Sequence, residues 1–176
     1  MIKLIKPDID YKEDIFKYKE EMFKSGADIL EGCGGLDRYN SYEEWIDHLK
    51  SYENRNKIDP ASGKVEGSQY MLVDEEAHRI LGMINLRHYL NEKLRRTSGH
   101  IGYSVRPGER RKGYGKRQLK EALKIIKKLG VNDVLITCDT DNVASFKTIE
   151  ACGGVLEKIL YIKEFDCMTR RYWIHQ

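Results

Sequence analysis

One stretch, residues 99–128, constrains the fold of this chain more than any other. It begins as an apolar strand over residues 101–105 and breaks at Pro107-Gly108. A helix follows, and its apolar residues recur with the i, i+3, i+4, i+7 spacing of one buried face: Leu119, Ala122, Leu123, Ile126 and Leu129. A strand, a glycine-containing loop and a helix in this order present free backbone N–H groups and the positive end of a helix to an anion.

The loop between this strand and this helix is strongly basic. Six basic residues and one acid lie from Arg106 to Arg117, a net charge of +5, whereas the whole chain carries +3. A run of charge by itself usually marks a solvated face. Here the charges surround a Gly-x-Gly turn, Gly113-Tyr114-Gly115, that opens a helix. We therefore interpret the loop as a phosphate-binding site.

Two common phosphate motifs do not fit this loop. Gly108 and Gly113 have the spacing of a nucleoside-triphosphate loop, but Tyr114-Gly115 follows where that motif needs Lys-Ser/Thr. A dinucleotide site would need a third glycine where this chain has Gln118. The pattern that fits is R-x-x-G-x-G, which begins at Arg110 and ends at Gly115. A nucleotide-dependent enzyme is disfavoured by this comparison.

This motif, directly after a strand and at the start of a helix, resembles that of the GNAT superfamily of acetyl-CoA-dependent N-acetyltransferases. Their pyrophosphate-binding motif is [Q/R]-x-x-G-x-[G/A]. The runs LRHYLNEKL and GHIGYSVRPGERRKGYG are also similar to a group of bacterial predicted acetyltransferases in that superfamily. At the level of motifs the resemblance covers about residues 80–154. It implies transfer of an acetyl group from acetyl-CoA to a primary amine by direct attack.

The periodicity along the chain predicts the order β-α-α-β-β-β-α-β-α-β-β. The predicted strands are residues 2–5, 70–73, 80–86, 101–105, 134–137, 155–162 and 172–174, and a glycine-containing loop at 26–40 is either a cover for a site or a plain connection. A helical crossover makes the fourth and fifth strands parallel. This order is the one that the resemblance implies: a single GNAT domain over residues 1–176. Its class is α/β (α+β), with a mixed, mostly antiparallel twisted sheet of about seven strands, a central parallel pair and about four helices.

The resemblance also places the acetyl-CoA site on particular residues. Acetyl-CoA would lie in a gap between the strands that end at Val105 and Cys138. Backbone groups near Tyr103 and Val105 would hold the acetyl carbonyl and the pantetheine arm. The loop would hold the pyrophosphate through Arg110, Arg111, Lys112, Gly113, Tyr114, Gly115 and Lys116. Asn142 and Ser145 match the family's N-x-x-[A/S] at the next helix, where Asn142 also suits a helix N-cap.

Transfer to an amine requires a base, because an ordinary amine is mostly ammonium at pH 7. His88 and His100, at the ends of neighbouring predicted strands, are the candidate catalytic residues, and a hydrogen-bonded structural role is the alternative for each. A water chain to a glutamate is a further alternative. Many family members carry a tyrosine seven residues after the helix-start asparagine, where this chain has Ile149. The proton donor to the CoA thiolate is therefore open.

Isoleucine in place of that tyrosine, Ile149, also leaves a second function open, a non-catalytic acyl-CoA-binding module. Relatives that acetylate protein N-termini often lack that tyrosine too, which favours such acceptors. A small amine, an antibiotic and a polyamine stay open as acceptors. The sequence also leaves the oligomeric state open, with a homodimer among the allowed states.

Composition and charge argue against several other classes of protein. No stretch of the 176 residues approaches the ~20 apolar residues of a membrane span, and the first residues lack a signal-peptide core, so we predict a cytoplasmic protein without a membrane partner. A net charge of +3 is too small to indicate nucleic acid. The four cysteines form no C-x-x-C pair, which argues against a zinc site or a disulfide framework. We predict no metal.

Overall fold

A computed structural model describes all 176 residues. The strands are β1 (Ile2–Ile5), β2 (Gly67–Asp74), β3 (Arg79–Arg87), β4 (Ile101–Val105), β5 (Asp133–Asp139), β6 (Val155–Ile162) and β7 (Cys167–His175). The helices are α1 (Lys12–Lys24), α2 (Tyr42–Lys50), α3 (Glu92–Thr97), α4 (Tyr114–Lys128) and α5 (Val143–Glu150). The predicted fold class and element order are confirmed, with α3 as an additional helix. None of the helices has the length and apolarity needed to cross a bilayer.

Helix α3 occupies a stretch for which the sequence analysis predicted only a connection. The Asn91 side chain accepts a hydrogen bond from Leu94 N at 2.9 Å and so caps the first turn. The six residues EKLRRT contain one apolar side chain, so they show no periodicity from which a helix could be predicted.

The strands form two antiparallel sheets, β1-β2-β3-β4 and β5-β7-β6. No ladder joins β4 to β5, and the predicted central parallel pair is therefore not a hydrogen-bonded pair. The sheets meet at one isolated bridge, of antiparallel type, between Gly99 and Ile136. Gly99 has φ +68°, and a Cβ on it would lie 2.4 Å from Leu135 O. The chain bends there, which brings the sheets together at this point and leaves a gap beyond it.

Helix α4 packs against both sheets through the predicted apolar face. Leu119, Ala122, Leu123 and Ile126 are buried together with side chains of β3, β4, β5 and β7. Leu129 was also predicted on this face but is 47% exposed. It follows the last turn of α4, and Gly130 reverses the chain directly after it with φ +86°.

The glycine-containing loop at 26–40 is packed onto the first sheet. Leu30, Cys33 and Leu36 are buried, and Cys33 O accepts a hydrogen bond from the indole of Trp45 at 3.1 Å. Gly32 lies against β4, where an added Cβ would come 2.3 Å from the Tyr103 Cα. The loop therefore lies over the strand that borders the gap.

Candidate active site

Backbone N–H groups are unpaired along the loop that precedes α4. From Arg111 to Lys116, no backbone N–H donates a hydrogen bond within the protein, whereas Arg117 N donates to Gly113 O at 3.0 Å. Gly113 is the N-cap of α4 and has no side chain with which to satisfy these donors. We call the six free groups the N–H cradle; they include that of Tyr114. Free donors at the positive end of a helix form a site for an anion.

The two glycines of the cradle leave its backbone bare. Gly113 has φ +84°, a left-handed conformation that favours glycine, and an added Cβ would meet no atom within 4 Å. A Cβ on Gly115 would lie 3.6 Å from both Thr148 Oγ1 and Val105 Cγ2, which is ordinary contact. The protein itself therefore tolerates a side chain at Gly115, so a need for glycine there would come from a ligand on the cradle.

Arg106, the first basic residue of the loop, is used by the fold. Its guanidinium is buried and donates to the Glu21 carboxylate at 2.7 and 2.8 Å and to Asp14 Oδ2 at 2.8 Å. The hydrogen bond from Arg106 lowers the pKa of Glu21. This network ties α1 to the end of β4, and it removes one charge from those that the sequence assigned to the loop.

The remaining cations of the loop differ in their partners. Lys112 Nζ donates to Glu109 Oε2 at 2.9 Å, and Arg110 Nε donates to a backbone carbonyl of β4 at 3.3 Å. Arg111 and Lys116 are exposed and form no ion pair or side-chain hydrogen bond. These two are the cations that are free to meet a phosphate beside the cradle.

Strand β4 is the edge of its sheet, so half of its backbone groups face the gap. The even-numbered residues at its two ends, His100 and Arg106, form backbone hydrogen bonds with β3, at 2.7 and 2.9 Å. Alternation along an antiparallel strand then turns the N–H groups of Tyr103 and Val105 away from β3 and toward the gap. These are the backbone groups that the sequence analysis assigned to the acetyl carbonyl and the pantetheine arm.

The Tyr103 side chain reaches from β4 to α5. Its hydroxyl lies 3.2 Å from both the carbonyl oxygen and the Oγ of Ser145. Burial raises the pKa of Tyr103 to about 12, so the phenol is protonated at neutral pH. Asn142 Oδ1 accepts from Ser145 N at 3.0 Å, so Asn142 is the N-cap of α5. The structure thus brings together Tyr103, Asn142 and Ser145 at one wall of the gap.

Two adjoining cavities open beside β4. One, of about 160 Å³, lies in the gap, with Tyr103, Cys138, Asn142 and Ser145 among the residues that line it. The other, of about 230 Å³, lies between the 29–38 segment and β3. They share Glu31, Arg87 and Gly102, and we call the pair the β4 cleft. The structure places no group of three His, Cys, Asp or Glu side chains where they could hold a metal.

Glu31 lies in the β4 cleft without a partner. A Cβ added to Gly102 of β4 would lie 3.7 Å from Glu31 Oε2. No hydrogen bond or ion pair is made by its carboxylate, although the residue is exposed to solvent. Its position beside the cleft partly desolvates the carboxyl group and raises the pKa of Glu31, while Arg87 acts in the opposite direction. A carboxylate with a raised pKa in a cleft is suited to accept a proton.

His100 is held inside the fold. It is 7% exposed, and its Nδ1 accepts a hydrogen bond from Leu135 N at 3.0 Å, which assigns the proton of the neutral ring to Nε2. Burial lowers the pKa of His100 to about 4. The neutral ring therefore has no free lone pair for an amine proton, and His100 does not line the cleft.

His88 lies outside the cleft as well. Its Nε2 is 2.8 Å from Ser68 Oγ, and its Nδ1 is 3.7 Å from Glu66 Oε2. His88 lies just past the end of β3 and is not among the residues that line either cavity. The structure brings neither of the predicted catalytic histidines to the gap.

Ile149 is buried in the core between α4, α5 and the strands. A side chain at this position does not face the gap in this chain. The sequence analysis named neither Glu31 nor Arg87, although it flagged the loop that carries Glu31 and the residue that follows Arg87.

Comparisons with known proteins agree with this geometry. The family model of the acetyltransferase (GNAT) domain matches residues 32–155. No curated protein sequence matches this chain.

Several solved structures share its fold. The RimL ribosomal L7/L12 α-N-protein acetyltransferase, in complex with coenzyme A, is 14% identical with a TM-score of 0.70 over 99% of this chain and 93% of that one. The microcin C7 self immunity acetyltransferase MccE, in complex with acetyl-CoA and AMP, is 16% identical with a TM-score of 0.69 over 99% and 92%. The ribosomal-protein-S5-alanine acetyltransferase from Vibrio fischeri is 16% identical with a TM-score of 0.67 over 99% and 91%. The family model covers more than half of the chain, and the chain belongs to the GNAT acetyltransferase family.

Proposed function

We propose that this protein transfers the acetyl group of acetyl-CoA to a primary amine by direct attack of the neutral amine on the thioester. The observation that carries the proposal is the N–H cradle, six consecutive unpaired donors at the start of α4. The ligands of MccE and RimL, acetyl-CoA and coenzyme A, support the choice of ligand because those proteins share the fold.

The residues of this chain have separable roles in that proposal. Acetyl-CoA would supply an activated acetyl group as its thioester. The cradle from Arg111 to Lys116 would bind the pyrophosphate, with Lys116 and Arg111 adding charge. The gap-facing N–H groups of Tyr103 and Val105 would donate to the acetyl carbonyl, where negative charge develops during attack.

A non-catalytic acyl-CoA-binding module would use the same cradle. The β4 cleft favours the enzyme, because a binding module has no need of an unpaired carboxylate beside the gap. Turnover therefore separates the two functions.

The test combines ligand binding with turnover on the full chain. CoA and acetyl-CoA should raise the melting temperature by mass action, whereas NAD and ATP should give little or no shift. Release of free thiol from acetyl-CoA should then rise with at least one member of a panel of primary amines. The absence of any shift at millimolar CoA would contradict the proposal, and a shift without thiol release on any amine would favour the binding module.

A further inference from the structure

We propose that the β4 cleft is an acceptor site for a small zwitterion that carries an amine and a carboxylate, with Glu31 facing the ammonium group and Arg87 binding the carboxylate. This inference rests on the proposed function and names the class of its acceptor.

Arg87, at the end of β3, is a cation without a counterion. Its Nη1 donates to Gly99 O at 3.0 Å, and no carboxylate lies within 4.0 Å of its guanidinium. Its other nitrogens have no protein partner, yet they are absent from the buried unpaired atoms, so they are open to the cleft. Burial lowers the pKa of Arg87, because desolvation disfavours the charged form. A partly buried guanidinium with free donors is a site for a planar oxyanion.

The two charges line the same cavities but do not pair with each other. Arg87 and Glu31 both border each of the two cavities, and neither side chain is within ion-pair distance of the other. A ligand that carries one positive and one negative group can bind between these two side chains, with each of its groups facing the side chain of opposite charge. An ammonium group at Glu31 and a carboxylate at Arg87 meet that requirement.

The dimensions of the cleft favour a small acceptor. Its two parts, about 160 and 230 Å³, together lie near the lower end of the roughly 300–1,000 Å³ of clefts that hold drug-sized ligands. A protein N-terminus offers an amide where a free amino acid offers a carboxylate. It would therefore leave Arg87 without an anion.

The nitrogen of the proposed acceptor gives up two protons during the reaction. Glu31 takes one proton from the ammonium group, and the freed electron pair of nitrogen forms a bond to the acetyl carbon. The carbon–sulfur bond breaks, and its electron pair leaves on the CoA sulfur. A second proton from nitrogen neutralises that sulfur, and the proton on Glu31 passes to solvent.

The experiment uses acceptors in matched sets, such as alanine, alaninamide and ethylamine, with wild type and the variants Arg87→Met and Arg87→Lys. Wild type should prefer the amino acid over its two analogues by about 100-fold or more in kcat/KM, because an unpaired buried polar group is penalised strongly. Arg87→Met should lose that preference, so that kcat/KM for the amino acid falls to the level of its two analogues. Arg87→Lys should regain only part of it, since lysine keeps the charge without the planar fork.

The outcomes separate this inference from the proposed function. The shift in melting temperature caused by CoA serves as the control for folding and for an intact cradle in each variant. A wild type that acetylates amines, amides or peptide N-termini as well as amino acids would overturn the zwitterion site and leave acetyl transfer standing. A preference for the amino acid that persists in Arg87→Met would overturn the role of Arg87. A wild type without a CoA shift or thiol release would fail the proposed function itself.

Discussion

The N–H cradle and the β4 cleft adjoin the same strand but are built in opposite ways. The cradle consists of backbone groups from six consecutive residues, and its chemistry follows from the conformation of one loop and one helix start. The cleft depends on two side chains, Glu31 and Arg87, that are 56 positions apart and meet only in the folded chain. A site made of backbone suits a ligand that is the same throughout a family, whereas a site made of side chains can change its ligand by substitution.

The change with the largest expected effect is Gly115→Asp in the cradle. The carboxylate would lie over the free N–H groups and repel phosphate, so CoA affinity should fall by about 100-fold or more, the equivalent of losing two charge-assisted hydrogen bonds. The fold should tolerate the change, because a Cβ at Gly115 meets only atoms at 3.6 Å or beyond. Calorimetric titration with CoA measures the affinity.

The matched control is Gly108→Asp. It adds the same charge to the same loop at a position where a Cβ meets nothing within 4 Å, and it lies outside the cradle. Equal losses in the two variants would show that overall charge, and not the cradle, binds CoA.

The second prediction concerns Arg106, the loop cation that pairs with carboxylates of α1. Arg106→Met would leave Asp14 with only the Ile80 N–H and Glu21 with only Arg79 at 3.7 Å, and should cost about 3 kcal/mol of unfolding free energy. Arg111→Met, the same change at an exposed arginine of the same loop without an ion pair or side-chain hydrogen bond, should stay within about 0.5 kcal/mol. Urea denaturation measures both, and similar values would contradict the distinction between structural and ligand-facing cations.

The third prediction separates the cleft from the cradle. Glu31→Gln should lower kcat/KM by roughly 100-fold, the usual contribution of a general base, and leave CoA affinity unchanged. In wild type, kcat/KM should fall as the pH falls through the raised pKa of Glu31. The Glu31→Gln variant should not show this decrease of kcat/KM at low pH. Arg87 opposes that shift in pKa, and Asp139 and Asp37 add to it.

His88 and His100, the bases proposed from the sequence, serve as the comparison for Glu31. His88→Gln and His100→Gln should each lose less than about threefold in turnover if Glu31 is the base, because neither ring faces the gap. A loss near 100-fold in a histidine variant, with Glu31→Gln near wild type, would assign the base to that histidine.

The sequence predicted best what is local in the chain. The strand β4, the glycine loop and four positions of the α4 face were predictable because spacing within about twenty residues determines them. Strand β7 is longer than predicted, since Arg170 and Arg171 interrupt its apolar pattern. In the fold Arg171 donates to Glu157 at 2.9 Å, and the Arg170 guanidinium lies 4.3 Å from the Phe146 ring centroid. Glu31 and Arg87 were not predictable, because no short-range pattern links them.

The smallest expected effect lies at the bridge between the sheets. The pKa of His100 is lowered from 6.5 to about 4, so the unfolded chain binds a proton more readily than the folded one. The stability that His100 contributes is present above pH 6.5 and is lost as pH falls toward 4, by about 1 kcal/mol between pH 6.5 and 5.5. His48, whose pKa burial also lowers to about 4, should add to the same trend. Urea denaturation at these two pH values, with His100→Asn as the comparison, should show a reduced slope in the variant.

The unpaired guanidinium of Arg87 has a consequence for how this protein can evolve. The free-energy cost of removing water from this guanidinium arises when the chain folds. A bound carboxylate therefore contributes a larger share of its attraction for Arg87 to the binding affinity. The empty protein carries the corresponding instability at all times. An apolar residue at this position would be expected to make the protein more stable and less selective. Selection for heat resistance and selection for acceptor choice therefore act in opposite directions at this one residue.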